Sequence, residues 1–346
     1  MIVALDATYS LDPQPSGIAV YSRELLSGLA TAHPDQRFRF LYRPHRLVRG
    51  MRNRHPPNAR VGLLWNGWVS RSADLFHALN QRVDSGAWRH VVSTFHDLFV
   101  MTGEYSTPEF RARFSEQARR AAQRSDLIIA VSRFTASQVT DLLGIAAQRI
   151  RVVPHGVRLP PVVVPQQERE KLILFVGAVQ KRKNVTRLVR AFEGVGSEWR
   201  LVLAGSHGYG AGEAVEAVRQ SPRRNDIDLA GYVSAEQLRR LWSRAAVLAF
   251  PSLDEGFGIP VLEAMANGVA AVVSNRAALP EVAGDAALYV DPFSSDSIAD
   301  ALRQITSDVD LRTTLAERGR ARATEFSWNK TVERTWAVYR ELLEPG

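Results

Sequence analysis

Two glutamates, Glu255 and Glu263, have the residue type and spacing to act together on a polar ligand. They stand in Ser252-Leu253-Asp254-Glu255-Gly256-Phe257-Gly258-Ile259-Pro260-Val261-Leu262-Glu263-Ala264-Met265-Ala266-Asn267-Gly268. Fixed carboxylates accept hydrogen bonds from hydroxyls, so sugar or ribose hydroxyls are natural partners. The backbone N–H groups of Phe257 and Gly258, near a helix start, can face an anion or a sugar oxygen. The competing interpretation is a strand–helix loop with one capping Glu and one exposed helix Glu. A second cluster, Gly177-Ala178-Val179-Gln180-Lys181-Arg182-Lys183-Asn184, sets three consecutive cations before a helix, where they oppose the helix dipole. A bound anion relieves that cost. A diphosphate held by Arg182 and Lys183 fits; a solvated basic turn is the alternative.

A third group, Ser93-Thr94-Phe95-His96-Asp97, ends a strand. His96 there can orient a sugar hydroxyl or stabilise developing charge, or His96 and Asp97 form an ordinary loop or capping pair. Gly17, in Ser16-Gly17-Ile18, opens a helix and permits close approach of a ligand. The glycine-rich loop Gly205-Ser206-His207-Gly208-Tyr209-Gly210 does not have the G-x-G-x-x-G spacing. No His/Asp/Glu group has metal-ligand spacing, and neither G-x-x-x-x-G-K-[ST] nor G-x-S-x-G occurs.

Each of these groups follows an apolar strand and precedes a helix, which is the C-terminal edge of a parallel sheet, where open α/β proteins bind ligands. The pattern alternates throughout. In the first half, strands are predicted at Ile2–Leu5, Arg37–Tyr42, Ala59–Trp65, Leu75–Ala78, Arg89–Phe95, Leu127–Val131 and Ile150–Val153. Helices are predicted at Ala19–Ala32, Pro108–Ser125 and Arg133–Leu143. Gly156–Gln166, with three prolines, reads as an interdomain linker. The alternation then restarts at Leu172–Gly177 and runs to the strand Ala287–Val290, followed by terminal helices at Ser295–Asp308, Asp310–Glu325 and Trp328–Leu343. The predicted architecture is α/β: two Rossmann-like, doubly wound domains facing a central cleft, with His96 and Glu255 on it.

Composition narrows the class. At 346 residues the chain can bury two cores. It contains no cysteine, which excludes disulfides, thiolate catalysis and Cys-ligated metal. It shows no apolar run of membrane-spanning length and no signal peptide, so a cytoplasmic location is expected. Residues 1–165 hold 21 Arg and 12 acids, whereas residues 166–346 hold 23 basic residues and 24 acids. Between Asp35 and Asp74 there are nine Arg (37, 39, 43, 46, 49, 52, 54, 60, 71) and no acid, with Phe38, Phe40, Tyr42, Trp65 and Trp68 interleaved. Basic residues beside interfacial aromatics suit an anionic membrane surface or a phosphate-bearing acceptor; a solvated Arg-rich surface is the alternative. No nucleic-acid motif accompanies the charge.

Read together, these segments resemble glycosyltransferase family 4, the retaining GT-B enzymes. The likeness rests on the Glu-x7-Glu element from Glu255 to Glu263 and on Arg182-Lys183-Asn184. It extends to Gly231-Tyr232-Val233-Ser234, Leu279-Pro280-Glu281-Val282-Ala283-Gly284-Asp285-Ala286, Phe326-Ser327-Trp328 and Val153-Pro154-His155-Gly156-Val157. It is dense from about residue 150 onward. The resemblance implies an acceptor-binding domain at 1–160, a nucleotide-sugar domain at 161–325 and a final helix, 326–346, crossing back onto the first.

It also implies roles. Glu263 binds the donor ribose, and Glu255 contacts donor-sugar hydroxyls beside the backbone of Gly256, Phe257 and Gly258. Arg182 and Lys183 neutralise the leaving diphosphate without a metal. His96 lies near the sugar with Asp97, Gly17 near phosphate or acceptor, and Val233 in the substrate site. One departure stands out: many members carry Arg where Ala178 stands. With no evident nucleophile besides Asp97, front-face attack is the expected mechanism. The expected donor is a nucleotide diphosphate sugar, GDP-mannose being favoured, with no other cofactor. The expected acceptor is a glycan or a polyprenyl-diphosphate-linked oligosaccharide. A nucleotide-sugar 2-epimerase of the same architecture and an inactive binding subunit are the alternatives.

Overall fold

The alternation of apolar strands and helices resolves into two parallel sheets. The computed structural model describes residues 1–13, 16–65, 73–83 and 86–344; Trp68 and Arg71 of the Arg-rich stretch lie outside them. One compact unit comprises residues 1–102, Thr107–Gly156 and the chain from Ser327 onward, and the second comprises Gly103–Ser106 and Val157–Phe326. The boundary thus falls at Gly156/Val157 and not at 160/161. The reason is local: the Val157 amide already donates to the Phe326 carbonyl inside the second unit (3.1 Å).

The first unit's sheet contains β1 (Ile2–Asp6), β2 (Arg37–Tyr42), β3 (Ala59–Leu63), β4 (Leu75–Ala78), β5 (Val91–Phe95), β6 (Leu127–Ala130) and β7 (Ile150–Val152). Their spatial order is β3-β2-β1-β4-β5-β6-β7, and every pairing is parallel. Connections depart in opposite directions from β1 and β4, which makes the crevice at their C-terminal ends a topological switch point. Strands β4, β5 and β6 are buried along their whole length, as expected of a parallel sheet covered on both faces.

The aromatic residues interleaved with arginine in β2 require a correction. Phe38, Phe40 and Tyr42 are 1%, 3% and 1% exposed and belong to the core. The strand's two-residue period sends Phe38 and Phe40 inward and leaves Arg37 exposed, so these rings are core and not interfacial. An unforeseen helix, Pro44–Arg52, follows β2.

The final helix, Trp328–Leu343, is part of the first unit. It lies against helix Gly17–Ala32 closely enough that a Cβ on Gly28 would stand 2.5 Å from a Val332 methyl. Tyr339 Oη bonds His77 Nδ1 (2.6 Å), and Trp336 stacks on His33 with ring centres 3.8 Å apart.

The second unit's sheet contains β8 (Glu170–Val176), β9 (Arg200–Ala204), β10 (Ile227–Gly231), β11 (Ala245–Phe250), β12 (Ala270–Ser274) and β13 (Ala287–Val290), in the order β10-β9-β8-β11-β12-β13. Its switch point lies between β8 and β11, neighbours in the centre of the sheet. Helices stand at Val185–Phe192, Ala211–Gln220, Ile259–Ala266, Ser295–Ser307 and Val309–Ala323. The capping box before Ala235–Arg244 is formed: Gln237 N–H donates to Ser234 Oγ (3.2 Å) and Ser234 N–H to Gln237 Oε1 (2.8 Å). The buried Arg169 guanidinium donates to the carbonyls of Val164, Trp242, Ala245 and Asn267 at 2.6–3.0 Å, tying the segment before β8 to the ends of helices Ala235–Arg244 and Ile259–Ala266. Among the described residues no helix is long and apolar enough to cross a membrane.

Candidate functional site

The second unit's site is built by the two loops that leave the switch-point strands. The loop after β8 passes through Gly177 and Ala178 into a single 3₁₀ turn, Lys181–Lys183. Asn184 then adopts the left-handed conformation (φ 61°), one that Asn tolerates better than most residues, and starts helix Val185–Phe192. Its side-chain amide donates to Pro251 O (3.0 Å) and Pro292 O (2.7 Å), and Leu253 N–H donates to Arg182 O (2.8 Å). The loops of β8 and β11 are therefore bonded to one another. A Cβ on Gly205 would stand 1.9 Å from Gly177 O, so the neighbouring β9 loop also needs its glycine.

The loop after β11 carries Glu255 and turns at Gly258 into helix Ile259–Ala266. Gly258 has φ 100°, and a Cβ there would meet a Leu279 methyl at 2.5 Å, so only glycine fits. Pro260 occupies the first turn of the helix and Gly268, with φ 65°, follows its end. Phe257 is buried and meets Phe326 edge-on at 6.0 Å. Its ring is thus a packing group, and its backbone is what it can offer a ligand.

Here Arg182, Lys183 and Glu255 come together. Lys183 Nζ lies 2.5 Å from Glu255 Oε1 and Arg182 Nη1 lies 3.0 Å from Glu255 Oε2, with all three side chains less than a tenth exposed. Arg182 Nη1 also donates to the Asp254 carbonyl, and Lys183 Nζ sits 4.6 Å from the centre of the Phe250 ring. Burial pushes the Glu255 carboxyl up, but the adjacent Arg182 and Lys183 charges outweigh it and hold it below the ordinary range. Two cations thus flank one buried carboxylate. The expectation of two cations awaiting an anion is thereby refined: they already hold one.

Glu263 behaves oppositely. It sits one turn into the helix, and its carboxyl makes no hydrogen bond or ion pair among the described residues. Burial alone pushes it up to about 7. Solvent still reaches part of the residue, so a ligand hydroxyl has access. The pKa has a thermodynamic consequence. A carboxyl whose folded-state pKa is raised binds more protons folded than unfolded between about pH 4.5 and 7, so stability falls as pH rises through that window. The limiting slope is about 1.4 kcal/mol per pH unit. Glu263→Gln is expected to abolish this contribution, seen as a higher urea midpoint at pH 7.5 with little change at pH 5. Parallel pH curves for the two proteins would refute it.

The remaining second-unit candidate, Val233, follows β10 on the same sheet edge and is half-buried, two strands away from β8. Among the described residues no three His, Cys, Asp or Glu side chains form a metal-binding group.

In the first unit, His96 and Asp97 follow β5, and Gly17 is the exposed first residue of its helix. His96 is nearly buried. Its Nε2–H donates to Leu79 O (2.9 Å), which leaves Nδ1 as an acceptor, 3.4 Å from His155 Nε2. The two imidazoles stack at 5.3 Å, and Tyr21 meets both edge-on. Burial pushes His96 down to about 4, so its ring carries no proton near neutral pH. Behind it a buried chain runs from Tyr21 Oη to Thr94 Oγ1 (2.9 Å), His77 Nε2 (2.8 Å) and Tyr339 Oη (2.6 Å). His155, His77 and Tyr339 were not legible as site or support residues. His155 had a signal in its position three residues after the end of β7; Tyr339, at the far end of the chain, had none.

The family model described as Glycosyltransferase Family 4 matches residues 16–159, and that described as Glycosyl transferases group 1 matches residues 162–322. The chain is 31% identical over 321 residues to the O-antigen chain mannosyltransferase B of Escherichia coli, covering 88% of this chain and 82% of that one. It is 26% identical over 282 residues to the Escherichia coli serotype-specific mannosyltransferase WbdA, of whose length it spans only 34%. A solved sucrose-phosphate synthase from Thermosynechococcus elongatus superposes with a TM-score of 0.79 over 100% of both chains at 21% identity, a likeness of fold. With both halves matched and a relative of that identity spanning most of both chains, this chain belongs to glycosyltransferase family 4, with the two Rossmann-like domains of the GT-B fold.

Proposed function

We propose that the protein is a retaining mannosyltransferase of surface-polysaccharide assembly. It takes mannose from GDP-mannose and adds it to a glycan or polyprenyl-diphosphate-linked acceptor. The observation that carries this reading is the buried Arg182–Lys183–Glu255 group at the second unit's switch point, where a diphosphate can meet two fixed cations. The 31% identical O-antigen mannosyltransferase supports the choice of sugar. In this reading the second unit binds the nucleotide sugar. Glu263 accepts hydrogen bonds from the ribose, and Glu255 and the backbone of Gly256, Phe257 and Gly258 face the donor sugar. Arg182 and Lys183 stabilise the departing diphosphate in place of a metal ion, with Arg182 supplying the charge absent at Ala178. Val233 lines the substrate site.

The first unit binds the acceptor, with Gly17 at the approach and His96 and Asp97 orienting hydroxyls. Transfer runs by front-face attack. As the glycosidic bond to the diphosphate breaks, the acceptor oxygen bonds the same face of the anomeric carbon and its proton passes to the diphosphate. The exposed Val48 (61%) and Met51 (66%), interleaved in sequence with exposed Arg49, Arg52 and Arg54, and the exposed Trp65 (55%) support a peripheral position on the inner, anionic face of the membrane.

A thermal-shift panel of GDP, UDP, dTDP and their sugars tests the donor. At a hundredfold excess over Kd the true ligand stabilises by about 2.7 kcal/mol. Transfer from GDP-mannose with retention, followed by NMR of the product anomer and unaffected by chelators, is the expected result. No response to any nucleotide, inversion at the anomeric carbon, or a trapped covalent glycosyl-enzyme would overturn the reading.

A further inference from the structure

Lys183 and Arg182, assigned above to the leaving diphosphate, are both spent on Glu255 in the ligand-free protein. Each carboxylate oxygen takes one cation, Oε1 at 2.5 Å and Oε2 at 3.0 Å. The three side chains are buried together and solvent screens them little. A diphosphate entering this place must therefore draw on cations that already have an anion. It carries more charge than a carboxylate and more acceptor oxygens, so it can win them.

The Lys183 ammonium stands on a flexible four-carbon stem and can turn. Arg182 is further anchored by its bond to the Asp254 carbonyl, and its backbone carbonyl by Leu253 N–H, so it has less freedom. Once Lys183 turns, Glu255 Oε1 is released as a hydrogen-bond acceptor beside the Gly256–Gly258 backbone, where the proposed sugar lies.

We propose that Glu255 is a resident counter-anion: it holds Lys183 and Arg182 ready in the empty site and yields Lys183 to the donor diphosphate. This rests on the diphosphate assignment made under Proposed function. The exchange has a consequence for product release. The spent nucleoside diphosphate is held less tightly than two unpaired cations would hold it, because Glu255 competes for Lys183 when the product is ready to leave.

The test is the affinity of GDP, measured by calorimetry beside guanosine, for wild type, Glu255→Gln and Glu255→Asp. UDP with uridine replaces this pair if the nucleotide panel selects UDP. Glutamine keeps the shape and one acceptor oxygen but removes the charge. Removing a unit charge about 5 Å from the diphosphate, at an effective dielectric constant of about 20, is worth more than tenfold in affinity. Glu255→Gln is therefore expected to bind the diphosphate at least about tenfold tighter than wild type, with nucleoside affinity unmoved and product inhibition stronger by a similar factor. Glu255→Asp, which keeps the charge, should show no such gain. A merely structural role predicts the reverse, weaker binding in both variants.

Equal or weaker diphosphate binding by a folded Glu255→Gln overturns the exchange while leaving the donor assignment intact. Absence of diphosphate binding by wild type overturns both. If Glu255→Gln does not fold, a crystal structure of the wild-type protein with the diphosphate decides. Lys183 Nζ on phosphate oxygen and withdrawn from Glu255 supports the exchange; Lys183 still bonded to Glu255 and off the phosphate ends it.

Discussion

Lys183→Ala is expected to lower turnover by about a hundred- to a thousandfold, the usual cost of deleting one preorganised charge that meets a transition state. The effect should fall on kcat, because charge grows on the diphosphate as the glycosidic bond breaks and the lysine is needed most at that moment. The fold should survive. Glu255 keeps Arg182 at 3.0 Å after the substitution, so the buried carboxylate is not left without a cation. Steady-state kinetics with the selected donor, beside a thermal melt, separate the two effects. Turnover within a few-fold of wild type would remove Lys183 from the leaving-group role.

The second large effect lies in the first unit and concerns acid. Burial pushes His77 down to about 3 and His96 to about 4, and burial with the neighbouring His96 lowers His155 well below the ordinary range. Each of these bases is neutral when folded and takes up a proton on unfolding once the pH is below about 6.5. The unfolded chain then binds more protons, and stability is lost as pH falls from about 6.5 toward 4. Each contributes up to about 1.4 kcal/mol per pH unit and the three together about 4. Hydrogen exchange resolved along the chain should show protection of β4, β5 and the final helix declining steeply from pH 6.5 to 5. The window near Glu263 should move the other way, since its raised carboxyl gains on acidification. His155→Phe should reduce the first unit's slope by about a third. An unchanged slope would show that the ring is not held neutral by burial.

Several elements were plain from residue pattern because the forces that make them are local. Arg37–Tyr42, Leu75–Ala78, Arg133–Leu143, Ala287–Val290 and Trp328–Leu343 begin and end where periodicity, caps and breakers place them. Helix Pro44–Arg52 was missed because it buries little beyond Gly50 and exposes Val48 and Met51, which leaves no clear apolar stripe to read. The rings of β2 were misassigned to a surface because composition records arginine beside phenylalanine, whereas strand geometry sends the phenylalanines inward.

The candidate site divides the same way. Glu255, Glu263, Arg182, Lys183, His96 and Gly17 were singled out because a strand–loop–helix pattern announces a sheet edge, and their types announce what they can bind. Three-dimensional folding supplied their pairing. Lys183 and Glu255 lie 72 positions apart and meet only because β8 and β11, distant in the chain, are hydrogen-bonded neighbours at the sheet's switch point. The same distance effect joins His77 to Tyr339 across 262 positions. Charge state followed from those meetings: two similar glutamates in one motif acquired opposite protonation tendencies, one beside two cations and the other buried without one. Residue type and spacing carry local conformation, because helix and strand periods act over a few residues. Which side chains meet, and the dielectric around them, depends on strand order and burial, which no short window of sequence contains.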